Sequence, residues 1–215
     1  FVGQTRIQAV KTKTPYTVTI INKKLENPWA ISAMPDGRFL ITQKGGTMVI
    51  LNANGTLAKT ITGLPKVDDS GQGGLLDVTL APDFAKSRMI YFAYSEPQSK
   101  GVLLAIAKGK LAANETSIEN QTIIYRATPA HTGKLQYGSR IVFDKNGNLF
   151  VSTGERSDKN IRVQAQYLNS SLGKILHLTP EGKPVANGPF AKQADARPEI
   201  YAYGLRNPDG LAIHP

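Results

Sequence analysis

The sequence predicts an all-β fold, a β-propeller with about three blades and the start of a fourth. Three observations predict it: short strand-like runs, turn dipeptides between them, and an internal repeat. Residues 16–21 alternate threonine with apolar side chains. Residues 38–42, 48–51, 89–94, 123–125, 148–153 and 174–178 are short and rich in β-branched or aromatic side chains, as strands are. Between them lie Asp36-Gly37, Asn54-Gly55, Asn146-Gly147 and Glu181-Gly182, pairs that tolerate the positive φ of tight hairpin turns. One weak helix candidate covers residues 163–172.

The repeat sharpens the assignment. Trp29-Ala-Ile-Ser-Ala-Met-Pro35-Asp-Gly runs into Phe39-Leu-Ile-Thr, and Leu76-Asp-Val-Thr-Leu-Ala-Pro82-Asp-Phe runs into Met89-Ile-Tyr-Phe. Ser139-Arg-Ile-Val-Phe-Asp144-Lys-Asn-Gly runs into Leu149-Phe-Val-Ser, and Gly210-Leu-Ala-Ile-His-Pro215 begins the unit again. The turns at 35, 82, 144 and 215 are 47, 62 and 71 residues apart, against roughly 40–50 residues for a four-stranded blade with loop insertions. Residues 1–215 therefore read as a single, incomplete propeller domain. Its ring would be completed by further C-terminal blades or by a partner chain.

Composition narrows the function classes. With 40% hydrophobic and 20% charged residues the chain is globular. No apolar run approaches the roughly 20 residues of a membrane span. Phe1 to Gln4 carry neither a basic nor an apolar leader segment. The absence of cysteine excludes disulfides, thiolate metal sites and a cysteine nucleophile. A periplasmic or secreted protein is the expectation. The net charge of +10 comes from scattered lysines without a nucleic-acid motif or interleaved aromatics, so it reads as a soluble basic surface.

Propeller ligands bind where loops of successive blades converge, so the segments leading into each repeat carry the chemistry. Ser70-Gly-Gln72-Gly-Gly precedes the second repeat; its glycines either let backbone approach a ligand beside the Gln72 amide, or make a tight loop that Gln72 satisfies. Leu135-Gln136-Tyr137-Gly138-Ser139-Arg140 opens the third, and Gly154-Glu155-Arg156 ends its second strand. Antiparallel pairing would bring Gln136 and Glu155 to one end of the blade, while Glu155 beside Arg156 also reads as a surface ion pair. Tyr203-Gly-Leu-Arg206-Asn207-Pro-Asp209 opens the fourth, with a guanidinium fork suited to a carboxylate. His131 reads as a loop residue, on the surface or acting as a base; His177 reads as a half-buried strand residue. Neither of these nor His214 has metal-ligand spacing, so no metal ligand is assigned.

Together these segments resemble the soluble quinoprotein glucose/sorbosone dehydrogenase family, in particular its aldose sugar dehydrogenase branch. The carrying motifs are Asn27-Pro-Trp-Ala, Gly71-Gln-Gly-Gly-Leu-Leu-Asp-Val, Tyr137-Gly-Ser-Arg, Gly154-Glu, Ala165-Gln166 with Leu172-Gly-Lys-Ile-Leu, and Pro198-Glu-Ile-Tyr-Ala-Tyr-Gly-Leu-Arg-Asn-Pro. The resemblance implies a six-bladed propeller that binds pyrroloquinoline quinone and calcium and oxidises the C1 hydroxyl of aldoses to lactones, passing electrons to an acceptor. It implies that Gln72 lines the cofactor and substrate site, that Arg206 and Asn207 contact the quinone, and that Glu155 orients the catalytic base. At the position of that base, a histidine in the family, this chain has Gln136, whose amide cannot take a proton near neutral pH. The family's calcium loop lies C-terminal to the Arg-Asn segment, so this chain is not expected to hold cofactor by itself. Two alternatives stand beside the dehydrogenase: a non-catalytic propeller binding a sugar, glycan or protein, and a calcium-dependent lactonase using Glu155, Asn207 and Asp209.

Overall fold

The computed structural model describes residue 9 and residues 11–214; readings that rest on Phe1, Gln4 and Pro215 lie outside the described residues. The first sheet holds β1 (Pro28–Ala33), β2 (Phe39–Gln43), β3 (Thr47–Leu51) and β4 (Leu57–Ile61). The second holds β5 (Leu75–Leu80), β6 (Met89–Gln98), β7 (Gly101–Leu111) and β8 (Ile118–His131), with the single-turn helix α1 (Phe84–Ser87) between β5 and β6. The third holds β9 (Gly138–Phe143), β10 (Leu149–Thr153), β11 (Lys174–Leu178) and β12 (Ile200–Tyr203). Each sheet is antiparallel with its strands in chain order, so these are three four-stranded propeller blades. The repeat read from the sequence corresponds to the first two strands of every blade. The first strands β1, β5 and β9 pack on one another in series and form the inner wall.

Alternation along the strands divides the core. Ile90, Phe92 and Tyr94 of β6, with Leu103, Ala105 and Ala107 of β7, pack toward the first blade. Tyr91 and Ala93, with Val102, Leu104 and Ile106, pack toward the third. A period of two sends successive side chains to opposite faces. The middle blade is covered on both, which is why β7 reads as one continuous apolar run rather than an alternating one.

Each inner strand carries the same irregularity. Between Pro28 and Ile31 three steps on β1 face two on β2, and the same mismatch recurs between Leu75 and Val78 and between Gly138 and Ile141. One extra residue per inner strand is a β-bulge, which twists the strand and re-aims side chains. The bulges join neighbouring blades. Thr42 Oγ1 accepts from Ala30 N (3.0 Å) and donates to Leu76 O (2.6 Å) in the second blade's bulge. Asp77, in that bulge, accepts from Ile141 N and from Arg140 Nη1, both at 2.6 Å, in the third blade. Ser152 Oγ accepts from Arg140 N (2.9 Å) and donates to Pro208 O (2.7 Å).

Several expectations are corrected. Residues 16–21 form no strand: no strand among the described residues pairs with them, and their side chains stand exposed. This extended segment leads to the Asn54-Gly55 turn, where Asn22 Nδ2 donates to Gly55 O (2.7 Å). The helix expected over residues 163–172 is only a 3-10 turn, Arg162–Gln166; the chain becomes extended at Tyr167, and Gly173 is left-handed (φ +64). The run 123–125 is part of the 14-residue β8. Residues 210–214, at the start of the fourth repeat, have no partner strand among the described residues. His131 lies at the end of β8 rather than in a loop, with Nε2 3.1 Å from Asp158 Oδ2. His177 is in β11 as expected, stacked on Phe150 (4.2 Å) with Nε2 2.8 Å from Asp144 Oδ2.

Candidate functional site

In an antiparallel blade the start of the first strand, the end of the second and the end of the fourth share one edge. That rule brings Gln72 and Gln136 (before β5 and β9), Lys44 and Glu155 (after β2 and β10) and Arg206 and Asn207 (after β12) to the same end of the three blades. Backbone bonds then pull the loops together. Gln72 N donates to Lys134 O (2.8 Å), and Gln72 Oε1 accepts from Gln136 N (2.7 Å). Glu155 N donates to Arg206 O (2.9 Å), and Arg156 N to Gln136 O (3.3 Å). Asn207 Oδ1 accepts from Gly138 N (2.9 Å) and its Nδ2 donates to Asp209 Oδ2 (2.8 Å).

The Gln72 oxygen fastens the neighbouring loop, and its Nε2 makes no hydrogen bond among the described residues. Asn207 lines the loop junction with its amide, each end of which makes one bond to protein and retains one further lone pair or N–H. Arg206 is exposed, and its guanidinium makes no hydrogen bond or ion pair among the described residues. Gln136 has a left-handed backbone (φ +52), which a non-glycine residue adopts only at a cost. Its N–H and C=O are held by Gln72 and Arg156 as above.

The surface ion pair between Glu155 and Arg156 is not formed. Both side chains are buried, and at a left-handed Arg156 (φ +71) they diverge. The Arg156 guanidinium donates to Leu135 O (3.0 Å), Val102 O (2.8 Å) and Gly133 O (2.5 Å) and lies 4.0 Å above the Tyr137 ring. Burial lowers the basicity of this guanidinium. Nor does a hydrogen bond join the side chains of Gln136 and Glu155.

Two cavities flank the Arg206-Asn207 segment. One, of about 450 Å³, is lined by Trp29, Lys44, Gln72, Arg140, Asn207 and Asp209 among others. The other, of about 490 Å³, is lined by Glu155, Lys159, Arg162, Gln166 and Arg206 among others. Among the described residues, the buried side-chain atoms without a hydrogen-bond partner are Gln136 Oε1, Tyr137 Oη, Ser139 Oγ and Glu155 Oε2. Buried polar atoms are normally paired, and these four all belong to the inner end of the third blade. The unengaged Arg206 guanidinium and Gln72 Nε2 are donors that suit an anionic group, whereas Gln136 Oε1 and Glu155 Oε2 are acceptors that suit a hydroxyl donor. No group of three or more His, Asp or Glu side chains among the described residues could hold a metal ion.

Three charged residues at this end escaped attention as site residues in the sequence. Asp77 and Arg140 form the bridge between the second and third blades, with the Arg140 guanidinium 5.1 Å from the Trp29 ring centre. Lys174 is fully buried, and its Nζ donates to the carbonyls of Gln164 (2.9 Å), Ala165 (3.0 Å) and Leu172 (2.5 Å); burial lowers its pKa to about 8. The available signal was a lone charge inside an apolar run, Leu-Leu-Asp77-Val and Gly-Lys174-Ile-Leu, because a buried charge needs partners.

Burial pushes the Asp77 carboxyl up to about 6, against the pull of Arg140 and the Ile141 N–H. The folded state thus holds this proton more tightly than the unfolded chain does. Stability from this group is full below about pH 4 and is lost as pH rises through about 6. Asp77→Asn removes that slope. The variant's unfolding free energy relative to the parent is expected to rise by about 2 kcal/mol between pH 4 and pH 7, read by denaturant unfolding at both values. A difference independent of pH would mean that Arg140 keeps Asp77 ionised throughout.

Comparison with known proteins shows the family. A model of the glucose/sorbosone dehydrogenase family matches residues 25–215. The chain is 40% identical over 200 residues to the aldose sugar dehydrogenase YliI of Escherichia coli (strain K12), covering 92% of this chain and 53% of that protein. The apo crystal structure of the soluble aldose sugar dehydrogenase of Escherichia coli superposes with a TM-score of 0.81 at 36% identity, over 88% of this chain and 54% of that one. The PQQ-bound aldose sugar dehydrogenase of Streptomyces coelicolor superposes with a TM-score of 0.75 at 27% identity, over 89% and 55%. The chain spans about half the length of the curated relatives it matches.

Proposed function

The chain belongs to the glucose/sorbosone dehydrogenase family, and from that premise we propose that its site is that of a pyrroloquinoline quinone-dependent dehydrogenase, oxidising the C1 hydroxyl of an aldose to a lactone. The observation that carries the reading is the meeting of Gln72, Gln136, Glu155, Arg206 and Asn207 at one end of three blades, in loops joined by Gln72 Oε1–Gln136 N, Glu155 N–Arg206 O and Asn207 Oδ1–Gly138 N. A periplasmic or secreted location accompanies this reading. No helix among the described residues is long and apolar enough to cross a membrane.

Pyrroloquinoline quinone, when bound, supplies the two-electron acceptor. Arg206 would hold one of its carboxylates through the unengaged guanidinium, and Gln72 would donate through Nε2. Asn207 acts through the backbone: it fixes Gly138, and with it the Gln136 loop, against the segment that carries Arg206. Gln136 presents an amide to the substrate side and moves no proton. Full-length protein supplied with pyrroloquinoline quinone, calcium and a dye acceptor is expected to reduce the dye only when an aldose is present. Absence of aldose-dependent reduction, both in the parent and in Gln136→His, would overturn the dehydrogenase.

Gln136 itself favours a second reading, a propeller that binds a sugar or glycan without oxidising it. Calorimetric binding of a sugar by full-length protein, with no turnover when the quinone is supplied, is its expected signature.

A further inference from the structure

We propose that Glu155 is the proton acceptor of this site, taking the role that Gln136 cannot fill; the inference rests on the dehydrogenase reading above and deepens it. Glu155 is 5% exposed, and its Oε2 is buried without a hydrogen-bond partner. The same side chain lines the cavity of about 490 Å³ beside Arg206. A carboxylate oxygen left unpaired in a buried position is costly unless something arrives to use it.

The other candidates near the loops are engaged. Arg156, the adjacent cation, gives its guanidinium to the carbonyls of Val102, Gly133 and Leu135 instead of to Glu155. Asp77 is held by Arg140 and Ile141 N, and Asp209 accepts from Asn207. His131 is turned to Asp158. Among the described residues, only Glu155 combines a basic side chain, a cavity and an unpaired buried oxygen at this end of the blades. It is also tied to Arg206 through Glu155 N–Arg206 O (2.9 Å), so acceptor and proposed quinone anchor share one backbone link.

The step balances as follows. The O–H bond of the sugar C1 hydroxyl breaks and its proton passes to a Glu155 carboxylate oxygen. The C1–H bond breaks and its electron pair passes as hydride to the quinone oxidant. The O–H electron pair becomes the second bond of the lactone C1=O, and the Glu155 carboxylic acid then releases its proton to solvent.

The test uses full-length protein. In the loaded enzyme, Glu155→Gln is expected to lower kcat about 10²–10⁴-fold with KM changed less than about threefold. Adding Gln136→His to Glu155→Gln is expected to recover at least about tenfold by supplying another base. The second readout needs no cofactor. Protein labelled with ¹³C-glutamate is titrated with glucose, and the infrared carboxylate band that Glu155→Asp removes is expected to shift. Turnover of Glu155→Gln within about threefold of the parent, or a Glu155 band unmoved by the sugar, would overturn the assignment while leaving the dehydrogenase standing. An inactive parent and an inactive Gln136→His would instead overturn the dehydrogenase, and Glu155 with it.

Discussion

Gly154→Ala is expected to destabilise the fold by about 3 kcal/mol or more and to open the site. A Cβ at Gly154 would lie 1.9 Å from Gln136 O, 2.3 Å from its carbonyl carbon and 2.9 Å from Asn207 Oδ1. None of these atoms is the loose end of a long side chain. Two are backbone, and the third is fastened to Gly138 N. The methyl can be housed only by moving the 133–138 loop away from β10, and Asn207 must give way with it. This movement separates residues that converge on the site, so ligand binding falls together with stability. Gly45→Ala is the control: a Cβ there meets nothing within 4 Å and the backbone is not left-handed. It is expected to stay within about 0.5 kcal/mol of the parent. Guanidinium chloride unfolding of the two variants checks both numbers, and equal midpoints would refute the crowding at Gly154.

Arg156→Leu is expected to cost about 3–5 kcal/mol, from carbonyls left buried without donors. The arginine supports Gly133 and Leu135 from below, donates to Val102 at the start of β7, and stacks on Tyr137. One guanidinium therefore holds the Gln136 loop against the second blade. Arg156→Lys is expected to recover less than half of the loss, because an ammonium lacks the planar fork that reaches separate carbonyls and the flat face that stacks on a ring. Denaturant midpoints give the stability change. Amide hydrogen exchange across residues 133–137 should rise in both variants, and unchanged exchange there would show that the loop stands without its arginine.

The fold was legible where the physics is local. The inner two strands of each blade announce themselves through β-branched runs bounded by turns such as Asp36-Gly37 and Asn146-Gly147. Those turns close without reference to anything distant. Residues 16–21 carry the same alternation and yet make no strand, because a strand exists only with a partner to receive its N–H and C=O groups. β7 was hidden for the opposite reason, since burial on both faces erases alternation. At the site, the motif positions Gln72, Gln136, Glu155, Arg206 and Asn207 did come to one end of the blades. Their bonding was not legible. Adjacency in sequence suggested that Glu155 pairs with Arg156, but a left-handed residue turns the arginine toward carbonyls from 102 to 135. Asn207, read as a ligand contact, holds Gly138. Asp77 and Lys174 were visible only as charges in apolar surroundings, and their partners lie in other segments.

The repeated bulge has a consequence for how such a chain can be altered. Each inner strand is notched at the same step, and a side chain of one blade seats in or beside the notch of the next: Thr42 against Leu76 and Asp77 against Ile141. Blades are thereby indexed to one another near the axis, like teeth on adjoining gears. Segments 157–172 and 184–198 add outer ties of their own, Ser171 N to Thr128 O and Arg197 Nη2 to Thr128 Oγ1, and the carbonyls of Gln164, Ala165 and Leu172 hold Lys174, so exchanging them would remove bonds between the second and third blades. A blade transplanted from a relative would need its pin and its neighbour's notch moved with it, or the loops above would meet one tooth out of step.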